Sequence, residues 1–170
     1  MSPRTKLLLA FPLALAAAAL ARAELKVGDA FPALAPAGVV SLAGGGLPAT
    51  AGKVVLVDFW ASWCAPCKAS FPALAKIHAD LAPRGFVLLA VSVDEKPAEA
   101  AKFAKKLAPP FATLHDRAQK LVAQVSVPTM PTSYLLDRTG KVRFIHEGYH
   151  GEATDKQLRQ QIEQLLAEKN

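Results

Sequence analysis

Apolar runs of five to eight residues, broken by polar and turn-forming segments, divide this chain into alternating strands and helices. Val54–Phe59 is apolar throughout except at Asp58, and Phe86–Val93 nearly repeats the pattern. Continuous runs of this kind predict strands buried on both faces. Between them Phe71, Leu74, Ile77 and Leu81 recur at helical spacing, which predicts a helix beginning near Cys64. Pro72 is expected to kink that helix, because its ring removes a backbone donor and crowds the preceding turn. Pro97 is suited to open a second helix running to about Lys106. Phe111–Leu114 reads as a short strand, with Asp116 capping a helix that continues through Gln124. Thr132–Leu136 and Val142–His146 predict a hairpin around Asp137-Arg138-Thr139-Gly140. Thr154, with Gln157 three residues on, has the spacing of a capping box for the last helix.

Upstream of this series, residues 24–38 contain Gly28, Pro32, Pro36 and Gly38 and read as an extended arm. It leads to a short strand near Val39–Leu42 and a turn at Gly44-Gly45-Gly46. No internal repeat and no second domain is evident. The order of elements implies an α/β fold, a mixed sheet with helices on both faces.

The first 23 residues follow a different pattern. Arg4 and Lys6 precede a 14-residue apolar run, Leu7 to Leu20, interrupted by Pro12 and followed by Ala21-Arg22-Ala23. A basic start, a short apolar stretch and an A-x-A site describe a secretory signal peptide, expected to be cleaved before Glu24. The run is short for a membrane span, which needs about 20 residues, so a membrane location is expected only if the segment stays uncleaved. The remaining residues 24–170 are enough for one domain. Their charge is 17 basic against 14 acidic residues, a net of +3 rather than the +6 of the whole chain. That balance gives no argument for nucleic acid. Lys102, Lys105 and Lys106 are expected on the wet face of a helix.

The chemistry concentrates at Cys64 and Cys67, the only two cysteines in the chain. A bridge across two intervening residues closes too small a loop to restrain the unfolded chain much, and is better suited to being broken and remade. Cys64, at the expected helix start, is the candidate nucleophile, because exposed helix-start amides stabilise a thiolate. Cys67, one turn further in, is the candidate resolving thiol. Ala65-Pro66 places no histidine between them, so the nucleophile pKa should be only moderately depressed and the couple reducing. Asp58 is costly in an apolar strand unless wet, paired or protonated. Lying six residues before Cys64, it is a candidate buried acid with a raised pKa that serves Cys67. Trp60 reads as core packing, and Trp63 as a shield on the active-site surface.

Zinc would want four ligands and there is no second cysteine pair. His146 and His150 straddle Gly148 at a strand end and are not expected to form a metal site, and His78 is expected to be solvated or a packing residue. No cofactor is implied. A competing class, a Cu(I) chaperone, would use the same two soft thiolates, but no histidine sits at an evident third-ligand position. A disulfide oxidant or isomerase is the other alternative.

The stretch Val57-Asp58-Phe59-Trp60-Ala61-Ser62-Trp63-Cys64-Ala65-Pro66-Cys67-Lys68 closely resembles a thioredoxin active site. With the leader, the arm and Met130-Pro131-Thr132-Ser133-Tyr134-Leu135-Leu136-Asp137, the chain resembles TlpA/ResA-type exported thioredoxins over roughly residues 25–168. The resemblance implies a thioredoxin fold with an N-terminal extension and a helical insertion, Pro97–Lys106 being part of that elaboration. It implies a cis Pro131 opposite the disulfide, with Trp63, Pro66, Met130 and Pro131 meeting the substrate. It also implies a periplasmic protein whose partners are disulfide-containing clients and a membrane thiol donor of the DsbD type. Relatives devoted to cytochrome c maturation often carry a glutamate three residues after the second cysteine, where this chain has Ser70.

Overall fold

A computed structural model describes residues 24–43 and 46–168. The leader expected in residues 1–23, and Gly44 and Gly45 of the expected turn, lie outside the described residues. The elements are β1 (Val39–Ser41), β2 (Val54–Trp60), α1 (Ala65–Leu81), β3 (Phe86–Ser92), α2 (Pro97–Leu107), β4 (Ala112–Asp116), α3 (Lys120–Val125), β5 (Thr132–Leu136), β6 (Val142–Glu147) and α4 (Glu152–Ala167). Six strands make one mixed sheet in the order β1-β4-β3-β2-β5-β6. β2, β3 and β4 run parallel, joined by crossovers through α1 and α2, while β1, β5 and β6 are antiparallel to their neighbours.

Because successive side chains point to opposite sides of a strand, β2 splits its residues between two cores. Val54, Leu56 and Trp60 face one side with α1 residues Phe71, Leu74 and Ile77 and α4 residues Leu158, Ile162 and Leu165. Val55, Val57 and Phe59 face the other, with Leu121 and Val125 of α3 and Phe31, Leu34 and Ala37 of the arm. The arm is fastened to the outer end of the hairpin, where Gly28 N donates to Val142 O at 2.8 Å and Phe31 N to Gly140 O at 3.0 Å. The hairpin turn has the expected place, and Asp137 Oδ1 accepts from Thr139 N at 2.8 Å and Thr139 Oγ1 at 2.6 Å.

Three local expectations shift. β4 runs on to Asp116, so α3 starts only at Lys120. The Asp116 carboxylate still reaches its first turn, accepting from Lys120 N at 3.1 Å and Val122 N at 2.8 Å. Thr154 is not the N-cap of α4: Gly151 holds that position at φ 66°, ψ −138°, a conformation open to glycine without a Cβ penalty. Thr154 lies one turn in and reaches back, its Oγ1 accepting from His150 N at 3.0 Å. α1 runs its 17 residues unbroken through Pro72. α2 begins at Pro97 as expected and carries Lys105 and Lys106 in its last turn.

Candidate functional site

Cys64 and Cys67 are joined by a disulfide at the start of α1. Cys64 is the N-cap of the helix in extended conformation, and its sulfur accepts from Cys67 N at 3.1 Å. A sulfur thus takes the role that a serine or aspartate oxygen plays in ordinary capping. Pro66 falls in the first turn, where a missing N–H leaves no helical bond unmade. No acidic side chain occupies that turn, so nothing there opposes a negative charge on the capping sulfur.

In this disulfide form the exposure expected of Cys64 is corrected: the residue is 3% accessible and Cys67 fully buried. The exposed group is Trp63 at 68%, which flanks the nucleophile as a surface indole. Pro66 is also exposed. Trp60 is buried, as expected, and packs against Phe71 and Phe103 at ring separations of 5.4 and 5.1 Å. The Met130–Pro131 bond is cis. Pro131 is buried and immediately precedes β5, while half-buried Met130 packs against both cores.

Asp58 is the buried acid the sequence suggested. It is 1% accessible, and burial, partly offset by a hydrogen bond from Ser133, pushes its carboxyl up to about 7. By strand alternation it shares the sheet face of Leu56 and Trp60, the face that α1 and Cys67 cover. Its neighbours across the sheet are Ala90 of β3 and Ser133 of β5. Ser133 Oγ donates to Asp58 Oδ1 at 2.6 Å, whereas Oδ2 is buried without a partner. Ser70, where related chains carry glutamate, is buried, and its hydroxyl donates to Cys67 O at 2.9 Å.

The sequence reading missed a second polar knot. Asp94, at the end of β3, is 3% accessible and accepts from Ser62 N at 2.9 Å, Ser62 Oγ at 2.7 Å and Ser92 Oγ at 2.7 Å. These bonds tie the loop that carries Trp63 and Cys64 to the end of the neighbouring strand. A cleft of about 720 Å³ opens beside Trp63 and is lined also by Asp94, Glu95, Lys96 and Gln119. The sequence signal for Asp94 was a carboxylate closing an apolar strand, the same signal read at Asp58.

The histidines do other work. His146 Nε2 lies 2.6 Å from Gln161 Oε1, and burial lowers its basicity. His78 packs against Phe86 and Phe111. Among the described residues no group of three or more His, Cys, Asp or Glu is placed to hold a metal ion, and no helix is long and apolar enough to cross a membrane.

Comparison with known proteins places this geometry. The Redoxin family model matches residues 26–162. The thiol-disulfide oxidoreductase ResA of Geobacillus thermodenitrificans is 31% identical over 114 residues, which cover 67% of this chain and 64% of that protein. The chain therefore spans just under two thirds of that relative's length. A candidate thiol:disulfide interchange protein DsbE from Chlorobium tepidum is 34% identical, with a TM-score of 0.72 over 85% of this chain and all of that one. An uncharacterised thioredoxin-like protein from Porphyromonas gingivalis is 27% identical, with a TM-score of 0.62 over 71% of this chain and 80% of that one. The fold is the thioredoxin fold.

Proposed function

The chain belongs to the Redoxin family, and from that premise we propose that it is an exported thiol-disulfide oxidoreductase that reduces disulfides in proteins of the cell envelope. The observation that carries the reading is the Cys64–Cys67 disulfide closed over a helix N-terminus, with the Cys67 amide already donating to the Cys64 sulfur. In the reduced form the same amide and the free helix-start donors would stabilise a Cys64 thiolate. That thiolate attacks one sulfur of a client disulfide, a mixed disulfide forms, and the client's other sulfur leaves as a thiolate. Cys67 gives its proton to Asp58 and attacks Cys64. The intramolecular disulfide returns, and the client leaves with both sulfurs reduced. Two electrons pass from the dithiol to the client.

A carboxyl with its midpoint near neutrality suits the proton step, since a base works best when its pKa lies near the working pH. Trp63, Pro66, Met130 and Pro131 bracket the disulfide and are the proposed contacts for the client. Residues 1–23 serve as a cleaved export signal, which puts the enzyme in the periplasm. Recharging there calls for a thiol donor in the membrane, of the DsbD type, because that compartment is kept oxidising.

Insulin-disulfide reduction and a glutathione titration test the reading together. The expected result is catalysed reduction and a couple near the thioredoxin value of about −270 mV rather than the DsbA value of about −120 mV. A potential near the oxidant end would assign the opposite direction. Trapping with Cys67→Ala, followed by identification of what stays bound to Cys64, would name the client.

A further inference from the structure

Ser133 enters no part of the dithiol reaction as written so far, yet it makes the only hydrogen bond that Asp58's side chain has among the described residues. The two lie 75 positions apart and meet because β5 pairs with β2 in a register that sets Ser133 directly beside Asp58. Both are buried on the face covered by α1. We propose that Ser133 is a positioning residue for the proton transfer: its hydroxyl occupies Asp58 Oδ1 and so leaves Oδ2 as the atom that receives the Cys67 proton.

The surroundings narrow the roles. On β3 the neighbour of Asp58 is Ala90, which cannot donate. α4 presents Leu158, Ile162 and Leu165 to this core. On α1 the titratable group is Cys67, while Lys68 lies outward over the Phe103 ring. Across the next ladder Ser133 pairs with His146 of β6, whose Nε2 is engaged by Gln161. A carboxylate in an apolar core has its orientation fixed by whatever bonds it, and here that is one hydroxyl. The same bond stabilises the charged form and partly offsets the effect of burial. Ser133 thus sets both the direction of the acid and the pH at which it ionises. It also stands two residues from Pro131, on the strand that leads out of the proposed client contact.

This inference rests on the reading of Asp58 as the proton acceptor for Cys67, and the experiment separates the two. Reduced full-length protein is mixed with dithiobis(nitrobenzoate), and thionitrobenzoate release is followed by stopped flow across pH. The first phase is attack by Cys64, which leaves thionitrobenzoate on its sulfur. In the second phase Cys67 loses its proton, attacks Cys64 and expels the remaining thionitrobenzoate. The ratio of second-phase to first-phase rate is the readout. Ser133→Ala should move the pH midpoint of that ratio upward by on the order of one unit, the scale of a hydrogen bond to a charged group. At a pH below the midpoint this is a roughly tenfold slower second phase. Ser133→Thr, which keeps the hydroxyl, should restore the midpoint.

An unmoved midpoint in Ser133→Ala, with Asp58→Asn abolishing the inflection, would overturn the role of Ser133 and leave Asp58 in place. An inflection that survives Asp58→Asn would overturn the reading of Asp58 itself. If the inflection disappears instead in His146→Gln, the titrating group is the histidine and the proposal fails. Failure of Ser133→Thr to restore the midpoint would show that packing rather than the hydroxyl matters.

Discussion

The two faces of the central sheet are built by the same strands and packed with similar residues, yet one is an ordinary core and the other holds a charge. On the α3 side β2, β3 and β5 contribute Val55, Val57, Phe59, Leu89, Val91, Tyr134 and Leu136. On the α1 side the matching positions include Asp58, Ala90 and Ser133, with the disulfide above them. A fold selected for stability alone would not bury a carboxylate with one oxygen unpartnered. The difference teaches that the cost is concentrated where thiol chemistry needs a proton acceptor, and that the opposite face supplies the stability to tolerate it.

The largest effect should come from the disulfide itself. Cys64→Ala should reduce insulin-disulfide reduction to background, and Cys67→Ala should do the same while accumulating a mixed disulfide on Cys64, read by mass spectrometry under non-reducing conditions. Turnover by either variant would break the link between chemistry and the α1 face. Next in size is Phe59→Ala on the opposite face. Phe59 is fully buried and stands edge-on to Tyr134 at 6.0 Å. Its truncation should cost roughly 3–5 kcal/mol in a urea melt while the surviving folded protein keeps its exchange rate. A specific loss of exchange with full stability would erase the distinction between the faces.

Asp58→Asn should do the reverse, stabilising the protein and slowing its chemistry. The folded carboxyl ionises near 7 and the unfolded one near 3.8. Between those values the folded state holds a proton that the unfolded state has lost, so stability falls as pH rises through that window and stays low above it. Asparagine removes the penalty. The gain should be absent below about pH 4, grow towards neutrality, and level off at roughly 2–4 kcal/mol above pH 7. Urea melts of the oxidised protein at acid and mildly alkaline pH measure it. A gain independent of pH would mean that the carboxyl does not titrate as placed.

Much of this contrast is legible in the sequence, and what is not has a physical cause. The apolar run of β2 announces a strand buried on both faces, and its one polar interruption announces Asp58. Pro97 marks the start of α2, and the cysteine spacing marks the start of α1. Ser133 was invisible as a partner of Asp58 because register between strands so far apart is a tertiary property, and a serine in a strand carries no signal of its own. The α3 start moved by four positions because β4 kept pairing through Asp116, with Val39 opposite it, so sheet hydrogen bonds outweighed the local capping signal. Cys64 was expected to be exposed because caps usually are. Here Trp63 takes the exposure and the sulfur turns inward to its own helix amide.

The smallest effect sharpens the comparison most closely, because it lies one residue from Ser133. Tyr134 points to the α3 face, where its hydroxyl donates to Val125 O at 3.2 Å and burial, with added repulsion from Glu24 and Glu147, pushes its pKa to about 12. Tyr134→Phe removes one buried hydrogen bond and keeps the ring. It should cost about 1 kcal/mol, with a possible further contribution from the orphaned carbonyl. The pH midpoint of the second thionitrobenzoate phase should not move, since the phenol neither faces Asp58 nor titrates in that range. Ser133→Ala should give the opposite pattern, a shifted midpoint with little change in the urea melt. Two neighbouring hydroxyls on one strand would then separate by face, one acting on stability and one on the proton. A midpoint that moved equally in both variants would mean that β5 responds as a unit, and that the backbone rather than the Ser133 hydroxyl governs Asp58.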